Sequence, residues 1–261
     1  RFSLFAIDRA TGKTLWTRVA AEVKPHEGHH PSHGFASASP FTDGERVYAH
    51  FGSRGLFCYD LEGKEVWKRT DFGQMRMRNG FGEGSSPTLH GDTIVVPWDH
   101  EGPSCLLALD KRTGKTLWKT DRDEPSCWAT PLVVVHDGKA QVVVSGERFA
   151  RGYDFSTGEE LWRCAGQTAR PLASPVAGHG LVFIGSGHQG NFLGAFRLDR
   201  RGDLQGTDGV VWTIERDTPD VPSPLLSGRR LYFLAGRRGS LSCVDAPTKK
   251  PHYSAGRVEG V

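Results

Sequence analysis

Five tryptophans, Trp16, Trp67, Trp118, Trp162 and Trp212, recur at separations of 51, 51, 44 and 50 residues, and each closes the same phrase. In full the phrase is Asp8-x-x-Thr11-Gly12-x-x-x-Trp16, repeated as Asp110-x-x-Thr113-Gly114-x-x-x-Trp118 and Asp154-x-x-Thr157-Gly158-x-x-x-Trp162. A copy one residue shorter runs from Asp60 through Gly63 to Trp67. A stretched copy spans Asp199 to Trp212, and a worn one runs from Asp245 through Thr248 to Tyr253. Self-similarity at roughly 40–50 residues marks stacked supersecondary units, none of which buries its apolar face alone.

Each unit opens on a small residue and a proline: Ser39-Pro40, Ser86-Pro87, Thr130-Pro131, Ser174-Pro175 and Ser223-Pro224. A glycine turn follows, then a β-rich run such as Thr93-Ile-Val-Val or Leu181-Val-Phe-Ile. A polar connector, a third run ending at the Asp, and a fourth ending at the Trp complete the unit. Short β-branched and aromatic runs between glycine turns predict antiparallel strands, and no long 3.6-residue apolar period is present. Four short strands per repeat describe an all-β fold, a β-propeller of four-stranded antiparallel blades.

The pattern predicts about five and a half blades in one incomplete domain, 1–261. The blades are a half blade at 1–16, then 36–67, 83–118, 127–162, 171–212 and 220–253. Half a blade at one end and a chain stopping in a connector are expected of a piece of a seven- or eight-bladed ring. The periodic Trp reads as a wedge between blades, with Trp118 expected to be buried. Asp8, Asp110 and Asp154 are expected to accept turn N–H bonds, and Gly12, Gly114 and Gly158 to take positive φ.

With 33 basic and 30 acidic residues interspersed and a net charge of +3, the chain lacks the basic block of a nucleic-acid binder. No apolar stretch approaches the ~20 residues that span a bilayer. The five cysteines are odd in number and never adjacent, which argues against a disulfide framework. Cys58 and Cys243 sit two residues before the blade Asp, where Ala6, Ala108 and Gly152 stand in other units, so that slot reads as packing.

The phrase L-x-A-[LI]-D-x-x-T-G-x-x-x-W, at Leu4–Trp16 and Leu106–Trp118, resembles the repeat of PQQ-like (pyrroloquinoline-quinone-like) β-propeller proteins. That superfamily includes quinoprotein alcohol dehydrogenases and the assembly lipoprotein BamB. The stretches 29–40, 75–87 and 98–101 are similar to a group of such propellers typical of planctomycetes and acidobacteria. The resemblance implies a periplasmic or secreted protein. Quinoprotein enzymes carry an adjacent Cys-Cys, a Ca²⁺ site of acidic and amide groups and a catalytic Asp; this sequence has no Cys-Cys and no evident Ca²⁺ cluster. No cofactor and no catalytic residue are therefore expected, PQQ with calcium belonging to the alternative of a dehydrogenase acting on alcohols or sugars.

In an antiparallel blade the one–two and three–four loops emerge on one face, and the two–three loops and inter-blade connectors on the other. The first class here is short turns, whereas the second is long and polar. Its candidates for ligand binding are Arg76, Arg78, Asn79 and Glu83; Asp99, His100 and Glu101; Arg122, Asp123 and Trp128; Glu147 and Arg148; Gln167 and His188; and Arg216 and Asp217. Ring geometry would gather them at one mouth, where a protein, peptide or carbohydrate ligand is the expected partner. The competing reading is a solvated rim of ion pairs. Arg122-Asp-Glu-Pro125 and Arg216-Asp-Thr-Pro219 also read as struts, and Trp128 as a core cap. In the His26–His33 loop, His29, His30 and His33 are weak metal candidates, because a Gly- and Pro-bearing loop imposes no ligand spacing.

Overall fold

A computed structural model describes residues 1–235 and 239–257, with side chains through Tyr253. It is all-β apart from two single turns of 3-10 helix. A two-stranded sheet, β1 (Phe2–Ile7) and β2 (Thr14–Ala21), precedes five larger ones. The first is β3 (Phe41–Thr42), β4 (Arg46–His50), β5 (Leu56–Asp60) and β6 (Glu65–Arg69); the second is β7 (Thr88–His90), β8 (Thr93–Trp98), β9 (Ser104–Asp110) and β10 (Thr116–Arg122). The third comprises β11 (Leu132–His136), β12 (Lys139–Val144), β13 (Ala150–Asp154) and β14 (Glu160–Cys164). The fourth comprises β15 (Val176–Gly178), β16 (Leu181–Ser186), β17 (Phe192–Arg197) and β19 (Val210–Ile214). The fifth comprises β20 (Leu225–Ser227), β21 (Arg230–Ala235), β22 (Ser240–Asp245) and β23 (Pro251–Arg257). Each is an antiparallel meander in chain order, so the chain is a β-propeller of four-stranded blades. The fourth strands run past their Trp, to Ala21 in the half blade and Arg122 in the second. The connector expected to hold Val261 lies outside the described residues.

The core lies between sheets. One apolar cluster joins Tyr48, Leu56 and Cys58 of one blade to Ile94, Val96 and Leu109 of the next, and comparable clusters fill the other junctions. Central strands are consequently buried on both faces, as Ile94, Val95 and Val96 are. Full burial of each such side chain contributes roughly 1.5–3 kcal/mol. All five cysteines are buried and unbridged, with Cys58 and Cys243 filling their packing slots.

The turn chemistry follows the sequence closely. Thr11, Thr113 and Thr157 donate backbone N–H bonds of 2.7, 2.8 and 3.0 Å to Oδ1 of Asp8, Asp110 and Asp154. Gly12, Gly114 and Gly158 have φ of 69°, 70° and 76°. A second constraint acts on these turns: a Cβ on Gly114 would lie 2.8 Å from the Trp67 ring, and one on Gly158 2.5 Å from the Trp118 ring. Trp16, Trp67 and Trp118 thus pack their rings against the turn of the following blade.

The indole N–H secures that contact. Trp16, Trp67, Trp118 and Trp212 donate to the carbonyls of Leu61, Lys111, Phe155 and Ala246 at 2.8–3.0 Å, each the residue after the next blade's Asp. Nearer the axis, Ser39, Thr130 and Ser174 donate their N–H to the hydroxyls of Ser86, Ser174 and Ser223, which explains a small hydroxyl residue before each proline.

Trp162 departs from the rule because the next blade's turn is stretched. The extra residues form β18 (Gly202–Asp203), which pairs parallel with β14 as a fifth strand on the preceding blade. Gln141 bridges the altered junction, accepting the Trp162 N–H at 3.1 Å and donating to the Leu198 carbonyl at 2.8 Å. Leu198 and Leu204 of the insert join the cluster around Trp162. Gln141→Ala is expected to lower stability by about 1–3 kcal/mol, since it orphans the buried Trp162 N–H and leaves the Leu198 carbonyl only its Arg201 donor; chemical denaturation measures this, and a loss below about 0.5 kcal/mol would refute the bridge.

The expected burial of Trp118 needs correction. Trp16, Trp67 and Trp118 are half-buried, with one ring face on the turn below, and only Trp162 and Trp212 are buried. For Trp162 the insert covers the ring through Leu198 and Leu204, whereas Trp212 is buried over a turn of ordinary length, stacked on Phe183.

Candidate functional site

The connectors and two–three loops interlace from blade to blade. Arg78, in the connector between the first and second blades, donates from Nε to Glu101 (3.0 Å) and from Nη1 to Glu147 (2.6 Å). Those carboxylates stand on the two–three loops of the second and third blades, so one guanidinium ties three blades together. Glu101 also accepts from the Ser126 hydroxyl at 2.9 Å. Burial would raise the Glu101 pKa, but the Ser126 bonds and the Arg78 charge outweigh it and hold the carboxyl below the usual range. Glu147 accepts the Arg170 N–H at 3.2 Å, and the Arg170 guanidinium contacts His188 and lies over the Phe81 ring.

A second group is sunk into the frame. Asp99 and Arg122 form a buried bidentate pair, Nε to Oδ1 at 2.8 Å and Nη2 to Oδ2 at 2.9 Å, with the Tyr153 hydroxyl on the remaining nitrogen. Burial opposes the Arg122 charge, and Asp99 overcomes that, raising its pKa further. His100 accepts the Arg76 N–H on Nδ1 at 3.0 Å and its Nε2 lies 3.2 Å from the Pro103 carbonyl, an arrangement that suits the neutral Nε2–H ring; burial lowers its pKa accordingly. Glu124, which the sequence marks as part of the Arg122-Asp-Glu-Pro125 strut, is buried and accepts from the N–H groups of Arg148 and Phe149 and from Arg151. Arg151 reaches Asp123 as well, and its Nε lies 3.1 Å from Glu160.

The structure therefore divides the sequence candidates. Arg78, Glu101 and Glu147 converge directly, whereas Asp99, His100 and Arg122 are spent within the frame. Trp128 is a half-buried cap whose N–H donates to the Gly82 carbonyl at 2.8 Å. Arg76, Asn79, Asp123, Arg148 and Arg216 are exposed on the same loops. Arg122 is a strut, but Arg216 is not its equal: it is exposed and only 3.4 Å from Asp217 of its own loop. Glu83 turns away from the Arg78 cluster to accept the Ser53 N–H at 2.6 Å, and burial raises its pKa. His29, His30 and His33 have ring centroids 6.0 and 6.2 Å apart, and Nδ1 of each is engaged by a neighbouring carbonyl or serine of the same loop.

Among the described residues, buried side-chain polar atoms without a partner belong to His50, Ser145, Gln167 and Thr168, while Arg151 Nε makes no hydrogen bond of ordinary geometry but is ion-paired with Glu160. His50 ends β4, Ser145 and Arg151 flank a two–three loop, and Gln167 and Thr168 stand in a connector, so all lie toward this one face. Sequence reasoning found Gln167 alone of these. Being unpartnered is a tertiary property that no spacing announces.

A fan of four-stranded blades, each docking a Trp on the Asp-x-x-Thr-Gly turn of the next, defines a PQQ-like propeller. Residues 1–250 match the family described as outer membrane protein assembly factor BamB, and the chain belongs to that family. It is 28% identical over 172 residues to the quinoprotein alcohol dehydrogenase PedE of Pseudomonas putida KT2440, covering 65% of this chain and 25% of that protein. Among solved structures it is similar to BamB from Moraxella catarrhalis (TM-score 0.65, 17% identity, 97% of this chain and 70% of that one). It is also similar to a europium-containing methanol dehydrogenase (TM-score 0.56, 18% identity, 82% and 50%). The chain thus spans a quarter of the curated relative it matches, and these structural likenesses concern the fold. No helix among the described residues is long and apolar enough to cross a membrane.

Proposed function

We propose that this chain is a non-catalytic propeller that presents its connector face to a protein, peptide or carbohydrate ligand outside the cytoplasm. The observation that carries the reading is the gathering of unpartnered buried polar groups on that face, since such groups cost about 1–3 kcal/mol each unless a ligand or water completes them. The Arg78–Glu101–Glu147 bridge holds the loops rigid, and exposed Arg76, Asn79, Asp123 and Arg148 supply the polar contacts. A BamB neighbour named for outer-membrane assembly agrees with a protein partner and an extracytoplasmic location. We also assign the chain to the planctomycete and acidobacterial group, on the 29–40, 75–87 and 98–101 stretches.

The quinoprotein alternative has less support from the residues present. The cysteines are separate and buried, and the acidic groups near the mouth are paired with arginine.

Immobilised protein should be screened against peptide and glycan panels. We expect hits whose binding falls at least tenfold in the double variant Arg76→Ala/Arg148→Ala, while stability changes by no more than about 0.5 kcal/mol, as surface substitutions do. Binding unaffected by that variant, or dye-linked alcohol or sugar oxidation after reconstitution with PQQ and Ca²⁺, would overturn the reading.

A further inference from the structure

Beside the half blade, a narrow cleft of about 30 Å³ is lined by His26, Glu27, His50 and Glu83, among others. One donor atom from each of His26, Glu27 and Glu83 lies within 4.8 Å of the others, and no other such His/Cys/Asp/Glu group is found among the described residues. His26 Nε2 and Glu83 Oε1 are 3.8 Å apart, a span that one ion can bridge with bonds of ~2.0–2.2 Å. The three side chains come from two connectors, and local bonds already aim them. Glu27 accepts the Met77 N–H at 3.2 Å, and Glu83 is held by the Ser53 N–H at 2.6 Å. Gly52 leaves the room: a Cβ there would fall 1.6 Å from Glu83 Oε2.

A second observation points into the same cleft. His50 is 3% exposed, and neither ring nitrogen makes a hydrogen bond of ordinary geometry. Burial pushes its pKa down to about 4, and the nearby Ser85 backbone offsets this only in part, so the ring is a neutral imidazole with an uncommitted lone pair.

We propose that His26, Glu27 and Glu83 bind a divalent transition-metal ion. One imidazole with two carboxylates matches Zn²⁺, the nitrogen disfavouring Ca²⁺ and Mg²⁺. His26 now lies with Nε2 2.6 Å from the Met75 carbonyl and accepts from Arg54 on Nδ1 (2.9 Å), so binding through Nε2 breaks the Met75 contact and moves the ring proton to Nδ1, which displaces the Arg54 donor. The two carboxylates outweigh the single Arg54 charge and leave the site anionic. His50 lines the same cleft. Such an ion would pin the first connector to the second and raise stability in proportion to occupancy. The site lies on the connector face and shares His50 with the reading proposed above, but metal titration tests it without any peptide or glycan ligand.

The test is calorimetric titration of metal-free protein with Zn²⁺, with Co²⁺ absorption as a second readout. We expect one equivalent to bind, the melting temperature to rise, and His26→Gln, Glu27→Gln and Glu83→Gln each to weaken binding at least tenfold, the scale seen even for groups that only support ligands. The triple variant His29→Ala/His30→Ala/His33→Ala should keep the site. Glu83 also organises Ser53, so Glu27→Gln and the Co²⁺ spectrum of the unmodified protein guard against a variant that misfolds. Absence of Zn²⁺ binding and of Co²⁺ visible bands, or binding that survives Glu27→Gln and disappears in the His29/His30/His33 variant, overturns the proposal.

Discussion

Arg122→Met is expected to lower the unfolding free energy by about 3–5 kcal/mol, the cost of leaving one member of a buried ion pair without its partner. Asp99 would remain inside the frame with no cation against its two oxygens, and the Tyr153 hydroxyl would lose its donor. The double variant Asp99→Leu/Arg122→Met is expected to recover much of that loss, because replacing both charges by apolar groups removes the desolvation problem altogether. Urea denaturation of the three proteins measures the coupling. A single-variant loss below 1 kcal/mol, or a double variant no better than the single, would show that the pair is solvated and that Arg122 belongs with the exposed groups of the face.

Trp162→Ala is expected to cost a similar amount, about 3–5 kcal/mol, as for other large core side chains emptied to Ala. Its ring is fully buried, stacked on Phe196 with centroids 6.0 Å apart, and covered by Leu198 and Leu204. Trp118→Ala should cost clearly less, because that ring is only half-buried and loses one turn contact and one N–H bond. Equal losses at the two positions would contradict the covering role of the 198–209 insert.

The blades were legible because their causes are local. An Asp that caps a turn through the N–H three residues on, a glycine at positive φ, and apolar runs buried on both faces all act within ten or so residues. The connector face was legible as a whole for a similar reason, since strand alternation alone decides which loops emerge together. Within it, the roles of individual residues were not. Asp99, His100 and Arg78 are equally polar and equally placed in loops, yet the first two are internal and the third spans three blades. That choice depends on which atoms meet across a junction.

Exceptions in the repeat carried more information than its regular copies. The stretch from Asp199 to Trp212 marked the place where Trp162 finds no turn to receive its N–H, but not the remedy, a fifth strand and the Gln141 bridge. Likewise the histidine-rich loop drew attention to the cluster of His26, His29, His30 and His33, whereas the structure joins only His26 of these to Glu27 and Glu83, the last 57 residues downstream.

By itself, then, the sequence determined the repeat, the strand order, the turn chemistry and the face on which long loops gather, because these rest on periodicity and short-range hydrogen bonding. Only the tertiary structure decided which charged groups are paired, which histidine is buried without a partner, and which carboxylates share a cleft. Those outcomes depend on distances between residues tens of positions apart, and on a desolvation cost that rises steeply with burial. Neither is written in the spacing of one chain.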